Sequence, residues 1–167
     1  LSKAAKKQNY SWEPDAATES YVILLNNMVA NGNVKEAVSA AKKLMKDADK
    51  PNVRSAALQI ITSQEGKKAI PVVIKALSDP DRGYRVNALR LAQPFADNDL
   101  YKELNKILAS KNETEVKADI INWYGANHVE SQIDAILPSF KSSNAEVAQA
   151  AVAAAGRIGG EKALNEL

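Results

Sequence analysis

The chain has 167 residues, with 22 Lys and Arg against 20 Asp and Glu, so its formal net charge is +2. This length suits one domain, and the small net charge argues against a dedicated nucleic-acid binder, whose phosphate contacts need a basic stripe. The chain has no Cys and one His, which excludes disulfides and thiolate metal sites and argues against a Ser-His-Asp triad. The sequence contains no run of about 18 apolar residues, so it predicts no membrane-spanning helix. We therefore expect no catalytic, cofactor-binding or metal-binding residues.

The predicted elements begin after a polar segment. Residues 1–14 are predicted to be a linker or the frayed end of a preceding helix, and residues 15–167 a helical repeat domain. The first apolar helix of that domain ends near Gly32, a residue suited to the left-handed conformation that closes a helix.

A register of about 31 residues organises the rest of the chain. It is marked by Arg54, Arg85, Lys117 and Ala148, which are spaced by 31, 32 and 31 residues. Apolar residues stand three and four positions later in every repeat: Ala57 and Leu58, Ala88 and Leu89, Ile120 and Ile121, Ala151 and Val152. Such offsets form one stripe of a helix. They predict second helices near 52–62, 82–93, 113–126 and 144–158, each preceded by a first helix with a similar stripe.

The turns before these second helices carry capping residues. Asp81, Asn112 and Ser143 are spaced by 31 residues, and each side chain can accept a hydrogen bond from a backbone N–H of the first helical turn. Glu115 and Glu146 follow Asn112 and Ser143 by three residues, the spacing of a capping box. In the first repeat Lys50 is a poor cap, but Pro51 suits the first helical position.

These patterns resemble HEAT-like repeats, most closely the short bacterial form named after phycobilisome lyases. The resemblance is carried by Val53-Arg54, the Ala-rich second helices and Asp79-Pro80-Asp81 before Arg85. The segment 146–160 is the strongest match, although Ala148 stands where Arg is usual. The resemblance implies an all-α, right-handed α-α superhelix of about four to five helical hairpins, with the second helices forming the inner, concave layer. It also implies that turn Asp residues bond Arg54 and Arg85. The hairpin at 19–44 fits either a HEAT-like or a tetratricopeptide-like unit.

We expect a non-catalytic scaffold or protein-interaction module of a larger bacterial protein, because HEAT-like arrays bind through their stacked surface. The first residue is Leu1, and residues 161–167 read as the start of a helix, so we expect truncation at the C-terminus and exposed apolar surface there. The alternative is an accessory domain fused to a catalytic domain such as an extracytoplasmic carbohydrate-acting enzyme; a lyase or DNA glycosylase is a weaker alternative. The expected partner is a protein or a neighbouring domain of the same chain, not nucleic acid. A soluble location in cytoplasm or periplasm stays open.

Four polar residues of the middle repeats are the candidate interaction site. Asn87, Arg90, Asp119 and Asn122 lie two and five positions past the Arg54 register, away from the apolar stripe, so they should project into the concave face. Arg90 could also pair with Asp119. The competing interpretation is an ordinary solvated helix face.

Several other conspicuous residues are predicted to be structural. Asp79 and Asp81 lie in a turn before a helix, where carboxylates cap N–H groups and oppose the helix dipole. His128 is predicted in a solvated loop and Trp123 in the core. The lysines of segment 42–46 are predicted to form a solvated face, neutralised by the acidic residues that follow.

Overall fold

Helices form all the regular structure that the described residues contain. This computed structural model describes residues 1–10, 16–111 and 115–159, and none of them lies in a strand. The predicted all-α class is therefore confirmed. The chain divides into two compact units, Leu1–Phe95 and Ala96–Leu167.

The described residues of the first unit, which leave out 11–15, form six α-helices and two 3₁₀ turns. The α-helices are α1 (Ser2–Lys7), α2 (Ala17–Ala30), α3 (Val34–Asp47), α4 (Pro51–Glu65), α5 (Ile70–Ala76) and α6 (Arg82–Ala92). The 3₁₀ turns are Gly66–Ala69 and Gln93–Phe95. As predicted, Gly32 has a positive φ of 84° at the end of α2, a conformation that glycine adopts without steric cost.

The N-terminal segment is packed into the first unit in its described part. Ala5 and Tyr10 are buried in the same core cluster as Leu25 and Leu44. At the surface, Asn9 donates a hydrogen bond to the Asp49 carboxylate at 2.8 Å. Residues 1–10 are therefore not a solvated linker in this structure, because helix α1 covers part of the hydrophobic core.

In the second unit, the described stretches 96–111 and 115–159 form four α-helices and two 3₁₀ turns. The α-helices are α7 (Asn98–Leu108), α8 (Glu115–Ala126), α9 (Ile133–Ile136) and α10 (Ala145–Ile158). The 3₁₀ turns, Glu130–Gln132 and Leu137–Lys141, flank α9. Helix α9, the first helix of the last hairpin, is shorter and more interrupted than its apolar stripe predicted. Pro138 lies two residues past its end, and proline has no N–H with which to continue an α-helix.

The four second helices of the repeat are confirmed as α4, α6, α8 and α10. Asp81 caps α6 as predicted, since its side chain accepts a hydrogen bond from the Tyr84 N–H at 2.7 Å. The predicted cap at Ser143 is wrong. Asn144 caps α10 instead and accepts bonds from the N–H groups of the second and third helical residues at 2.9 and 3.3 Å. The predicted cap Asn112 lies outside the described residues.

The apolar stripe of the register forms the interior of both units. Leu58, Leu89 and Ile121 are at most 1% exposed. Their counterpart Val152 is 47% exposed, so the last described repeat leaves this position open. Exposed apolar surface was expected at this end, but Ala151, Ala154 and Ile158 of the same helix are buried. Residues 160–167 lie outside the described part of the chain.

Helices α8 and α10 approach each other closely at Gly125. A Cβ atom placed on Gly125 would lie 2.7 Å from the Cα of Ala154 and 2.8 Å from its Cβ. Carbon atoms in van der Waals contact are about 3.5–4.0 Å apart. Only glycine therefore fits at position 125 with this helix spacing.

Candidate interaction surfaces

The solvent-facing side of α6 presents one half of the predicted site. Arg90 is exposed, Asn87 is half-buried, and Val86 beside them is 47% exposed. The Asn87 amide oxygen accepts hydrogen bonds from Arg90 Nη2 at 2.7 Å and from Arg90 Nε at 3.2 Å. The residues lie three positions apart on one helix, so this bond holds the guanidinium group against the α6 surface.

Helix α8 carries the other half, and Asp119 differs from the expectation. Asp119 is only 3% exposed, whereas its position off the apolar stripe predicted a side chain open to solvent. The reason is that most of α8 is interior: eight of its residues are buried. Asn122 is half-buried. Asn87 and Arg90 belong to the first unit, while Asp119 and Asn122 belong to the second. The common four-residue surface and the Arg90–Asp119 pair therefore stay predictions.

The basic positions of the register bind the turns that precede their own helices. Arg54 Nη1 donates to the Asp49 carbonyl oxygen at 2.6 Å, and Arg85 Nη1 donates to the carbonyl oxygens of Asp79 and Pro80, both at 3.1 Å. Lys117 Nζ donates to the Ser110 carbonyl oxygen at 2.7 Å. A long cationic side chain at this position thus donates hydrogen bonds to carbonyl groups in the turn after the preceding helix ends, where helical N–H partners are lacking.

Arg54 also links its repeat to the next one, as the family resemblance implied. Its Nη2 lies 3.0 Å from the Asp79 carboxylate, and its guanidinium carbon lies 5.1 Å from the centre of the Tyr84 ring. Asp79 accepts a further bond from the Asp81 N–H at 3.0 Å. The structural interpretation of Asp79 and Asp81 is therefore confirmed. Burial raises the pKa of the Tyr84 hydroxyl to about 12, although the nearby Arg54 cation acts in the opposite direction.

Three aromatic residues of the second unit, Tyr101, Trp123 and Tyr124, pack against one another. The Trp123 ring lies 6.4 Å from Tyr101 and 5.7 Å from Tyr124 between centroids. The Tyr124 hydroxyl donates to the Asn105 side-chain oxygen at 3.0 Å, and burial raises its pKa. The core interpretation of Trp123 is confirmed. His128 lies exposed in a loop, as predicted, with its Nδ1 2.9 Å from the Arg157 carbonyl oxygen.

A second polar surface, in the first unit, was not singled out from the sequence. Two adjoining cavities of about 540 and 350 Å³ share Lys42 and lie between α3 and the segment from the end of α4 to the start of α6. We call them together the α3 groove. Its charged lining residues are Lys35, Lys42, Lys46, Arg54, Glu65, Lys68, Lys75 and Asp79. The spacing of residues 35, 42 and 46 places them on one helix face, which the sequence alone could have indicated. The residues on the opposite side of the groove, such as Lys68 and Lys75, are brought there only by helix packing.

Within the described residues, no three His, Asp or Glu side chains lie close enough together to hold a metal ion. No helix within the described ranges is both long and apolar enough to cross a membrane.

Comparison with known proteins agrees with this architecture. The sequence pattern of the HEAT repeats family matches residues 38–125, which is just over half of the chain and includes α4, α6 and all but the last residue of α8. A search of curated proteins finds no significant match. The family match and the paired helices confirm the fold class, an all-α helical-repeat solenoid. The chain is a member of the HEAT repeats family.

Proposed function

We propose that the chain is a non-catalytic protein-interaction module that binds through the α6 surface of Asn87 and Arg90, one half of the site predicted with Asp119 and Asn122. HEAT repeats are generally interaction or scaffold modules, and solenoids bind through the surface that their stacked helices share. The observation that carries the proposal is the α6 surface. Arg90 is exposed, held by Asn87 and adjacent to the exposed Val86.

This composition suits a protein contact. Arginine is enriched at the energetic centres of protein interfaces, where its planar group makes several hydrogen bonds at once. The Asn87 oxygen engages Nε and Nη2 of Arg90, which restricts the guanidinium before a partner arrives and lowers the entropy cost of binding. Val86 supplies apolar area beside it.

Affinity capture with matched variants tests the proposal. The natural chain, Arg90→Ala/Asn122→Ala and Lys141→Ala are compared in extracts of the source organism, with helical content and Tm measured for each. Lys141 is exposed in a different element, so its variant controls for loss of a positive charge. We expect partners that the natural chain and the Lys141 variant retain but the double variant loses. Equal capture by a folded double variant would refute this surface.

The same variants address the alternative, an accessory domain of an enzyme in the same polypeptide. In that case the protein retained by the natural chain is the neighbouring domain of its own full-length product. A separate partner protein favours the interaction module acting between chains.

A further inference from the structure

We infer that the α3 groove is a second docking site of this module and takes an acidic, amphipathic helix of a partner protein. The inference rests on the proposed function only in that the partner is a protein. The surface is distinct from the α6 surface, because none of its lining residues is Val86, Asn87 or Arg90.

Charge is the first observation that identifies the occupant. The groove lining contains six cationic and two acidic residues, a net charge of +4. The whole chain carries +2, so the rest of the molecule sums to −2. Positive charge is thus concentrated in the groove, and a cleft lined by one sign of charge attracts ligands of the opposite sign.

The two acidic residues do not neutralise the groove. Glu65 accepts a hydrogen bond from Lys42 at 2.7 Å, and Asp79 is bound by Arg54 at 3.0 Å. Within the described residues, the amino groups of four exposed lysines have no ion-pair partner: Lys35, Lys46, Lys68 and Lys75. The predicted neutralisation of the 42–46 segment by the acids that follow is therefore wrong for Lys46. Asp47 instead lies 3.7 Å from Lys6, and Asp49 is bound by Asn9.

The groove floor makes a protein helix a better occupant than nucleic acid. Half-buried apolar side chains line the groove together with the lysines, namely Val34, Met45 and Val72. These side chains suit leucine-type anchors, which an amphipathic helix supplies and a phosphate backbone does not. No exposed aromatic ring lies in the groove lining to stack a base, since Tyr84 is 4% exposed.

The spacing of the lysines on α3 suits a helix lying alongside it. Lys35, Lys42 and Lys46 are separated by seven and four residues, or about 10 and 6 Å at 1.5 Å per residue. Glutamates at positions i, i+7 and i+11 of a neighbouring helix repeat the same distances. Laying an amphipathic helix into such a groove is a recurring mode of peptide recognition.

The test uses a synthetic probe. A fluorescein-labelled peptide of roughly 16 residues, long enough to be partly helical, carries leucines on one face and glutamates beside them. Two matched peptides replace every Glu by Gln or every Leu by Ser. Fluorescence anisotropy measures affinity for the whole chain, and amide NMR shifts locate the binding site. We expect only the first peptide to bind tightly, with shifts along Val38, Met45 and Val72.

Charge-reversal variants separate the groove from general attraction. Lys46→Glu/Lys75→Glu should weaken binding roughly tenfold or more, because two attractions to the peptide's glutamates are lost and each becomes a repulsion. Lys43→Glu/Lys141→Glu changes net charge equally and should alter affinity less than about twofold, because neither residue lines the groove. Lys46→Gln/Lys75→Gln gives a milder version if the reversal disturbs folding.

Three results would overturn the inference. One is equal loss in both double reversals, which would indicate unspecific attraction. Another is a duplex or single-stranded oligonucleotide that binds more tightly than the peptide at the same residues. The third is no saturable binding up to ~1 mM. Each leaves the Arg90 capture experiment unaffected, so failure here is distinguishable from failure of the proposed function.

Discussion

Gly125→Ala should destabilise the second unit, because its new methyl group would meet a backbone atom of α10. The added Cβ would lie 2.7 Å from the Ala154 Cα and 2.8 Å from its Cβ, about 1 Å closer than carbon atoms tolerate. A Cα atom cannot rotate away as a flexible side chain can. Helices α8 and α10 must therefore separate.

The magnitude follows from two opposing effects. Overpacking of this kind costs about 1–3 kcal/mol, and replacing glycine by alanine in a helix returns up to about 1 kcal/mol. We expect a net loss of about 1–2 kcal/mol in the free energy of unfolding, or a fall in Tm of about 2–8 °C. Urea unfolding followed by circular dichroism measures it.

Gly156→Ala is the matched control. Gly156 lies in α10, and a Cβ there would meet no atom within 4 Å, so this variant should be neutral or more stable by about 0.5–1 kcal/mol. Adding Ala154→Gly should not rescue Gly125→Ala, because the closer contact is with the Cα. A neutral or stabilising Gly125→Ala, or full rescue by Ala154→Gly, would refute the close-approach argument.

Two further predictions concern the core and pH. Leu89→Ala and Ile121→Ala should each lower the free energy of unfolding by roughly 2–4 kcal/mol, since both side chains are almost fully buried; a change below about 0.5 kcal/mol in chemical denaturation would contradict the stripe assignment. The folded state raises the Tyr84 pKa from 10 to about 12, so its neutral form is favoured. This contribution is complete below pH 10 and lost as the pH rises from 10 to 12, by on the order of 2 kcal/mol. Tyr84→Phe should lose less stability than the natural chain over that interval, and equal losses would refute the assignment.

The repeat register could be predicted from the sequence because it depends on local physics repeated along the chain. Positions such as Leu58, Leu89 and Ile121 recur at a fixed spacing, and a helix with one apolar stripe must bury it against a neighbour. Asp81 and Pro51 likewise depend on local geometry, because each stabilises the first turn of the helix that begins beside it. Those elements therefore appear in the structure where the sequence places them.

Only the tertiary structure decided which polar residues are buried, which glycine lies at a close helix contact and which lysines share a groove. Asp119 is buried because α8 is enclosed on most sides, which no periodicity of its own sequence reveals. Gly125 is essential only because α10 passes at that point. The α3 groove exists because Lys68 and Lys75 are brought opposite Lys35 and Lys46. Each of these features joins residues about 20 to 40 positions apart. Such contacts depend on how helices pack, whereas the pattern within each helix depends only on its own turn-by-turn geometry.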